Sequence, residues 1–521
     1  MPSNLATLTD LPHELLTQII YPLDTESMYT LAKTCKTLHF FALPLFLSRN
    51  CIHIETQYPE YVSMSCPSKE GLIALGTSML ATNLRTIQYR CTTDDVDRLF
   101  YDIRLLRRLL ARLPSLNAFT WAHYPSSSNV VAPNDAKLDM QKWSTEFSAL
   151  VDAALQKSCQ DLVIYGSDAL FPPSSEQPNL HGLPAPKSWN ILSNTARWKV
   201  LSIFSKTKNQ PLPPCPPPAP QCTCAAFSIT SSMLLHPQLL RWFQSTLQAN
   251  AGAMTRLALN KVVVSSSTWR QLLPTLTLPV LYSFQLNAGD QLVDGMGVAL
   301  EDVETFLRCN TSIALLTLSG IIIPDMTPRL RKPILPKLRM VDAHPKFIAW
   351  ILSCKVPQFR PLAAVTLSAE SDEFDYDQFD EALAVIALYS YTNTLGLVLN
   401  FSSKTGVHKW IQKHVSNSTT AQGSVSQRCI TNLTMVTYLT LYTKFWMRLN
   451  DGEEPIVRLL PRFFALFPSL EKVDFWEQPF SARQIDLQGY KDLLKKIMSL
   501  CPMLKAVSVN NRSIDLTYLD V

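Results

Sequence analysis

One arrangement returns along most of this chain: a helix-like apolar stretch, a Pro or polar break, then a short apolar strand. Leu105 to Leu113 leads to Pro114-Ser115-Leu116-Asn117-Ala118-Phe119-Thr120-Trp121. Leu459 to Phe467 leads to Pro468-Ser469-Leu470-Glu471-Lys472-Val473-Asp474-Phe475-Trp476, and Leu493 to Cys501 leads to Pro502-Met503-Leu504-Lys505-Ala506-Val507-Ser508-Val509. Weaker copies place strands at 161–165, 198–203, 254–260, 313–318, 338–342, 395–399 and 433–441. The last anchor leucines, 433, 470 and 504, stand 37 and 34 residues apart by subtraction. A strand–helix unit of this size cannot bury its apolar face alone, so its copies must stack. The pattern predicts an α/β array with a parallel sheet over residues 70–521. An ordinary α/β domain whose strands follow Leu-containing helices is the competing arrangement.

A different pattern occupies residues 1–50. Asp10 precedes Leu11-Pro12 and predicts a helix cap, with Pro12 in the first turn and Glu14 at the positive helix end. Leu15, Ile19, Ile20 and Leu23 recur at helical spacing. Pro22 ends that helix, and Asp24-Thr25-Glu26-Ser27 offers a second cap. Met28, Leu31, Ala32, Cys35 and Leu38 form the next stripe. Phe40-Phe41-Ala42-Leu43 then meets Pro44 and continues as Leu45-Phe46-Leu47. Three short helices in about forty residues are too small to be stable alone, so one face must be buried against something else.

Residues 6 to 48 resemble the F-box. That family opens with a Leu-Pro-x-Glu-Leu-Leu helix, matched by Leu11-Pro12-His13-Glu14-Leu15-Leu16. Its second helix carries Leu-Ala-x-x-Cys-Lys, matched by Leu31-Ala32-Lys33-Thr34-Cys35-Lys36. Leu38 stands where many members have an aromatic residue. The resemblance implies docking on the Skp adaptor, and through it on cullin, in a ubiquitin ligase. Carried over, the contact set is Leu11, Pro12, Glu14, Leu15, Ile19, Ile20, Leu23, Leu31, Cys35 and Lys36. The array beyond is similar to the irregular leucine-rich-repeat-like α/β solenoid that often follows an F-box, although the Asn ladder of such repeats is mostly missing. The implied role is a substrate receptor, non-catalytic itself, with an unknown protein substrate on the solenoid. The alternative is a repeat scaffold whose N-terminal helices only cap the array.

Nothing in the residues competes with that expectation. Hydrophobic residues make up 47% and charged residues 17%, which excludes wholesale disorder. The 14 Gly are few for a glycine-looped nucleotide enzyme. There is no Gly-x-Ser-x-Gly elbow, phosphate loop or His-Glu-x-x-His. A net charge of +5 is spread thinly, and Arg104-Leu105-Leu106-Arg107-Arg108 sits on an amphipathic helix, so no nucleic acid is expected. The first residues lack an apolar leader, and no twenty-residue window would span a membrane. Twelve scattered Cys fit reduced thiols inside a cell, and the expected location is cytoplasmic, nuclear or both.

Cys215, Cys222, Cys224 and His236 lack the second close pair of a zinc site, so neither metal nor cofactor is expected. Exposed loops are predicted at 123–137, 171–190 and 416–426, and a stiff Pro-rich insertion near 209–224. The acidic run Glu370 to Glu381 reads as a loop opening a helix at Phe379, with a patch for a basic peptide as the alternative. Asn-x-Ser/Thr triplets, such as that at Asn310, read as chance.

Overall fold

The computed structural model describes residues 8, 11–55, 58, 60–93, 95–124, 139–166, 223–289, 297–324, 330, 332–354, 362–371, 373–388, 394–416, 430–445, 449, 454–477, 487–510 and 512–514. Three helices come first: α1 (His13–Ile20), α2 (Thr25–Ala32) and α3 (Lys36–Arg49). They lead into β1 (Ile52–Ile54), β2 (Tyr61–Ser65), α4 (Lys69–Thr77), β3 (Thr86–Cys91), α5 (Val96–Arg112), β4 (Ala118–His123), α6 (Met140–Leu155) and β5 (Asp161–Gly166). The middle holds β6 (Ala226–Thr230), α7 (Pro237–Ala249), β7 (Arg256–Leu259), α8 (Ser266–Leu272), β8 (Ser283–Asn287), β9 (Val298–Ala299), α9 (Leu300–Cys309), β10 (Leu315–Ser319) and β11 (Ile321–Ile322). Next come β12 (Met340–Ala343), α10 (Pro345–Leu352), β13 (Ala364–Ser368), α11 (Asp377–Ala387), β14 (Leu395–Phe401) and α12 (Lys404–Ser416). The last are β15 (Val436–Thr443), α13 (Pro455–Phe464), β16 (Lys472–Glu477), α14 (Leu487–Leu500), β17 (Ala506–Val509) and β18 (Arg512–Ile514).

Sixteen of these strands form one sheet in chain order, while β9 and β11 pair with each other. All pairs in the large sheet are parallel except the terminal two, β1 with β2 and β17 with β18. The protein is therefore mixed α/β around a large, mostly parallel sheet. Alternation decides which face is covered. Along β14, Leu395, Leu397, Leu399 and Phe401 are buried, and Gly396, Val398 and Asn400 between them are half-buried. The same alternation holds in β3, β8 and β13, so helices cover one face and leave the other open.

Tyr438, Lys472 and Ala506 are aligned across β15, β16 and β17, so the last two steps are equal: 472 minus 438 and 506 minus 472 both give 34. The counterpart of Leu470 is thus Val436 rather than Leu433, because the apolar run there starts before the strand does. Just ahead of the strands stands a buried column, with Leu84, Leu116, Leu281, Leu338, Leu470 and Leu504 at equivalent places. Where Leu is absent, Cys159, Cys224, Met254 and Ile313 fill the column, which hides the repeat from a search for leucine.

The N-terminal helices differ from expectation in detail. α1 begins at His13 with Pro12 as its cap residue, and Asp10 lies outside the described residues. Asp24 caps α2 by accepting from the Ser27 N–H at 2.8 Å. α3 runs straight through Pro44. β1 and β2 fill the interval between the two regions read from sequence, and the core is continuous from Leu16 to Ile514. The strand expected at 198–203, the loops at 171–190 and 417–426 and the Pro-rich insertion up to residue 222 lie outside the described residues, as does 125–137 of the first loop. Among the described residues no helix is long and apolar enough to cross a membrane.

Candidate partner-docking site

α1 carries two apolar pairs one residue out of phase, Leu15 with Ile19 and Leu16 with Ile20. In a helix each pair shares a face, and the two faces lie about 100° apart. Leu16 and Ile20 turn inward and are fully buried. Leu15 and Ile19 turn outward, 45% and 43% exposed. Four residues apart, the two share one face and form a small apolar patch on the surface of α1.

Of the expected contact set, Pro12, Glu14, Leu15, Ile19, Cys35 and Lys36 are exposed, and Leu11, Leu23 and Leu31 are half-buried against the core. Ile20 is the correction: at 0% exposure it holds α1 to the module and is not available to a partner. Cys35 is the cap residue of α3 and not part of an inward stripe. Leu38, where an aromatic was the usual residue, is buried.

Several residues around this face carry no motif. Tyr21 and Phe40 are exposed apolar groups beside the expected set. The Arg49 guanidinium donates to the backbone carbonyls of Tyr21 and Leu23, fastening the α1–α2 turn to the end of α3. The His13 ring packs 4.6 Å from that of Phe41, joining the start of α1 to α3.

α3 faces both ways. Leu38, Ala42, Leu43, Phe46 and Leu47 are buried along it, and it packs on α2, β1 and α4. Asn50, its last cap, donates to Phe46 O at 2.7 Å and accepts from the Ser68 hydroxyl at the start of α4. A Cβ on Gly71 would lie 2.8 Å from Asn50 Cβ, so Gly71 is what lets α4 approach so closely. His39 bridges too, between Ala32 O at 3.0 Å and the Met79 N–H at 3.3 Å. The helical module is thus joined to the sheet through α3, with the outer face of α1 left uncovered.

Comparison with protein-family models and with curated proteins finds no match.

Other candidate centres resolve into structure. Cys215 and Cys222 lie outside the described residues, Cys224 is buried, and His236 caps α7 through Nδ1. No cluster of three or more His, Cys, Asp or Glu suited to a metal occurs among the described residues. Burial pushes the Cys501 thiol up to about 11, away from a reactive thiolate. Arg104 and Arg107 both reach the carboxylate of Glu146 on α6. In the acidic run, Asp377 and Asp380 open α11, which starts two residues before Phe379. Asp380 is buried and accepts from Trp410 Nε1 and His414 Nε2, both at 2.9 Å, and pairs with Lys413 at 3.1 Å. Of the aromatics at the strand ends, Trp121 is core and Trp476 is half-buried on the open sheet face.

Proposed function

We propose that this chain is the substrate-receptor subunit of a Skp–cullin–F-box ubiquitin ligase. Residues 1–50 act as the F-box, and the sheet and its helices act as a leucine-rich-repeat-like solenoid presenting a protein substrate. The observation that carries the reading is the uncovered Leu15–Ile19 face, on a helix whose motif resembles the adaptor-binding one and whose adjacent face, Leu16–Ile20, is fixed in the core. Ubiquitin transfer belongs to other subunits, and this chain contributes proximity, in cytoplasm, nucleus or both. Neither cofactor, metal, nucleic acid nor membrane takes part.

Completing the burial of Leu15 and Ile19, each already more than half covered, would supply about 1 kcal/mol each. Purified Skp adaptor should therefore be retained by the full chain and lost by a Leu15→Asp, Ile19→Asp double variant that still folds. Wild-type chain that fails to retain the adaptor would remove the ligase role. The packing of α3 on β1 and α4 favours the second reading, a scaffold capped by its N-terminal helices, and that outcome would leave it standing.

A further inference from the structure

Polar bridges tie α3 to its surroundings at both ends. Past its last turn, Asn50 accepts from the Ser68 hydroxyl at the start of α4. Near its start, the half-buried His39 ring reaches in two directions. Nδ1 stands 3.0 Å from the carbonyl oxygen of Ala32, the last residue of α2. Nε2 stands 3.3 Å from the backbone nitrogen of Met79, which opens the 3₁₀ turn Leu80–Asn83 between α4 and β3.

These two partners fix the state of the ring. A carbonyl oxygen only accepts, so Nδ1 carries a proton; a backbone N–H only donates, so Nε2 carries none. The bridge therefore exists for one tautomer of the neutral imidazole alone. A second proton would land on Nε2 and set two N–H groups against each other. The surroundings offer that cation no compensation. On α2 the neighbouring charge is Lys33, directly after Ala32, and on α3 it is Lys36, one turn back. The stretch 76–83 has no charged residue, and α5 contributes Arg112, which donates to the carbonyls of Gly76 and Ser78 on that stretch. All three charges are positive. The carboxylates nearest in sequence point elsewhere: Glu26 opens α2 at its other end, and Glu70 opens α4 beside Asn50. Glu14 is on α1, which meets α3 through Phe41, about 200° round the helix from His39.

We propose that His39 is a pH-sensitive clasp between the helical module and the array, closed by the neutral ring and opened by its protonation. Imidazole suits this role because it is the side-chain group that changes charge between about pH 5 and 8. Opening frees the 76–83 stretch from the corner of α2 and α3. The Asn50–Ser68 bridge, an amide and a hydroxyl, does not titrate and still holds the far end of α3. The clasp stands on its two hydrogen bonds, whatever α1 docks.

The test measures amide hydrogen exchange over residues 76–84 of the full chain at about pH 7.5 and about pH 5.5, each rate divided by the intrinsic rate at that pH. Protection should fall by about fivefold on acidification, the ratio that one net hydrogen bond represents. His39→Gln keeps a donor and an acceptor and gains no proton, so its protection should stay level. His39→Phe fills the space with neither group, so its protection should be low at both pH values. Comparing each variant with the parent cancels the other groups that titrate. A parent no more pH-sensitive in this stretch than the two variants, or a parent loss of equal size in β10, overturns the inference.

Discussion

Asn50, Asn250 and Asn310 each end a helix, and each donates its side-chain N–H to the carbonyl four residues back: Phe46, Thr246 and Phe306, at 2.7, 2.8 and 2.7 Å. The free oxygen then accepts from elsewhere, from the Cys224 N–H for Asn250 and from the Leu278 N–H at 2.6 Å for Asn310. One amide thus satisfies an orphan helix carbonyl and joins two units. Asn310→Ala should destabilise the chain by about 2 kcal/mol in urea unfolding, because buried backbone groups are left without partners. A change within 0.5 kcal/mol would show that water replaces the amide. This role was illegible in the sequence, where Asn310 stood out only as a chance glycosylation triplet. Buried carboxylates supply the other residue-scale signal. Burial raises Asp380, but the hydrogen bonds and charge of His414, with Trp410 and Lys413, outweigh it and leave the pKa below the usual carboxylate value. Its stabilisation is present above about pH 4 and is lost as pH falls below that. Asp342 has the opposite sign, since burial raises its pKa and the Ser368 hydroxyl only partly offsets that. Its charge opposes folding at neutral pH, and the penalty is relieved on acidification. Asp380→Asn should therefore lose about 3 kcal/mol at pH 7 and show a shallower acid limb. Asp342→Asn should melt higher at pH 7 than the parent and gain less on mild acidification. Identical acid limbs in parent and Asp380→Asn would refute the first assignment.

Among elements, α12 shows how a local rule can be reversed by packing. Tyr376 receives the N–H groups of Ser402 and Ser403 on its hydroxyl, at 3.2 and 3.1 Å, and so fixes the approach to this helix. A Cβ on Gly406 would sit 2.5 Å from the Tyr376 ring, which is itself held by Phe374, Phe379 and Phe401. Gly→Ala inside a helix usually stabilises by about 0.5–1 kcal/mol. Here Gly406→Ala should instead destabilise by about 1–3 kcal/mol, from overpacking, with a lower melting temperature as the readout. A stabilised variant would mean that the ring moves aside freely. Elements also mark where the sequence was readable. Strands after a Pro-Ser-Leu break, such as β4 and β16, stand where the pattern placed them, since the break and the period-two alternation coincide. β2, β3, β6, β8 and β13 escaped it; the anchor of β6, for one, is a Cys behind a Pro-rich stretch, and that of β13 is Leu362, directly after Pro361. The face of α1 was undecidable for a different reason. Leu15–Ile19 and Leu16–Ile20 are equally good stripes, and only the tertiary partner α3 determines which one turns inward.

At the scale of the molecule, the N-terminal helices and the sheet share one core, and α3 is the shared element. Leu43, Phe46 and Leu47 are buried on a helix packed against β1 and α4, the first layer of the array. Stacked arrays depend on such end layers, because each unit is stabilised by its neighbours and the terminal one has a neighbour on one side only. Deleting residues 1–50 would uncover that layer, and losing Leu43, Phe46 and Leu47 alone would cost on the order of 5 kcal/mol at about 1.5–3 kcal/mol each. Deleting residues 1–22 would remove Leu16 and Ile20 but leave α3 in place. Proteolysis across a urea series should then rank the chains: full length most resistant, the 1–22 deletion slightly less, the 1–50 deletion well below both and prone to aggregate. If the 1–50 deletion matched the full chain, α3 would be an appendage. The outer face of α1 would then swing independently of the sheet. The short path from Asn50 through Ser68 into α4 argues for the other outcome, in which α1 and the sheet belong to one continuous core and the outer face of α1 keeps a set distance from the open face.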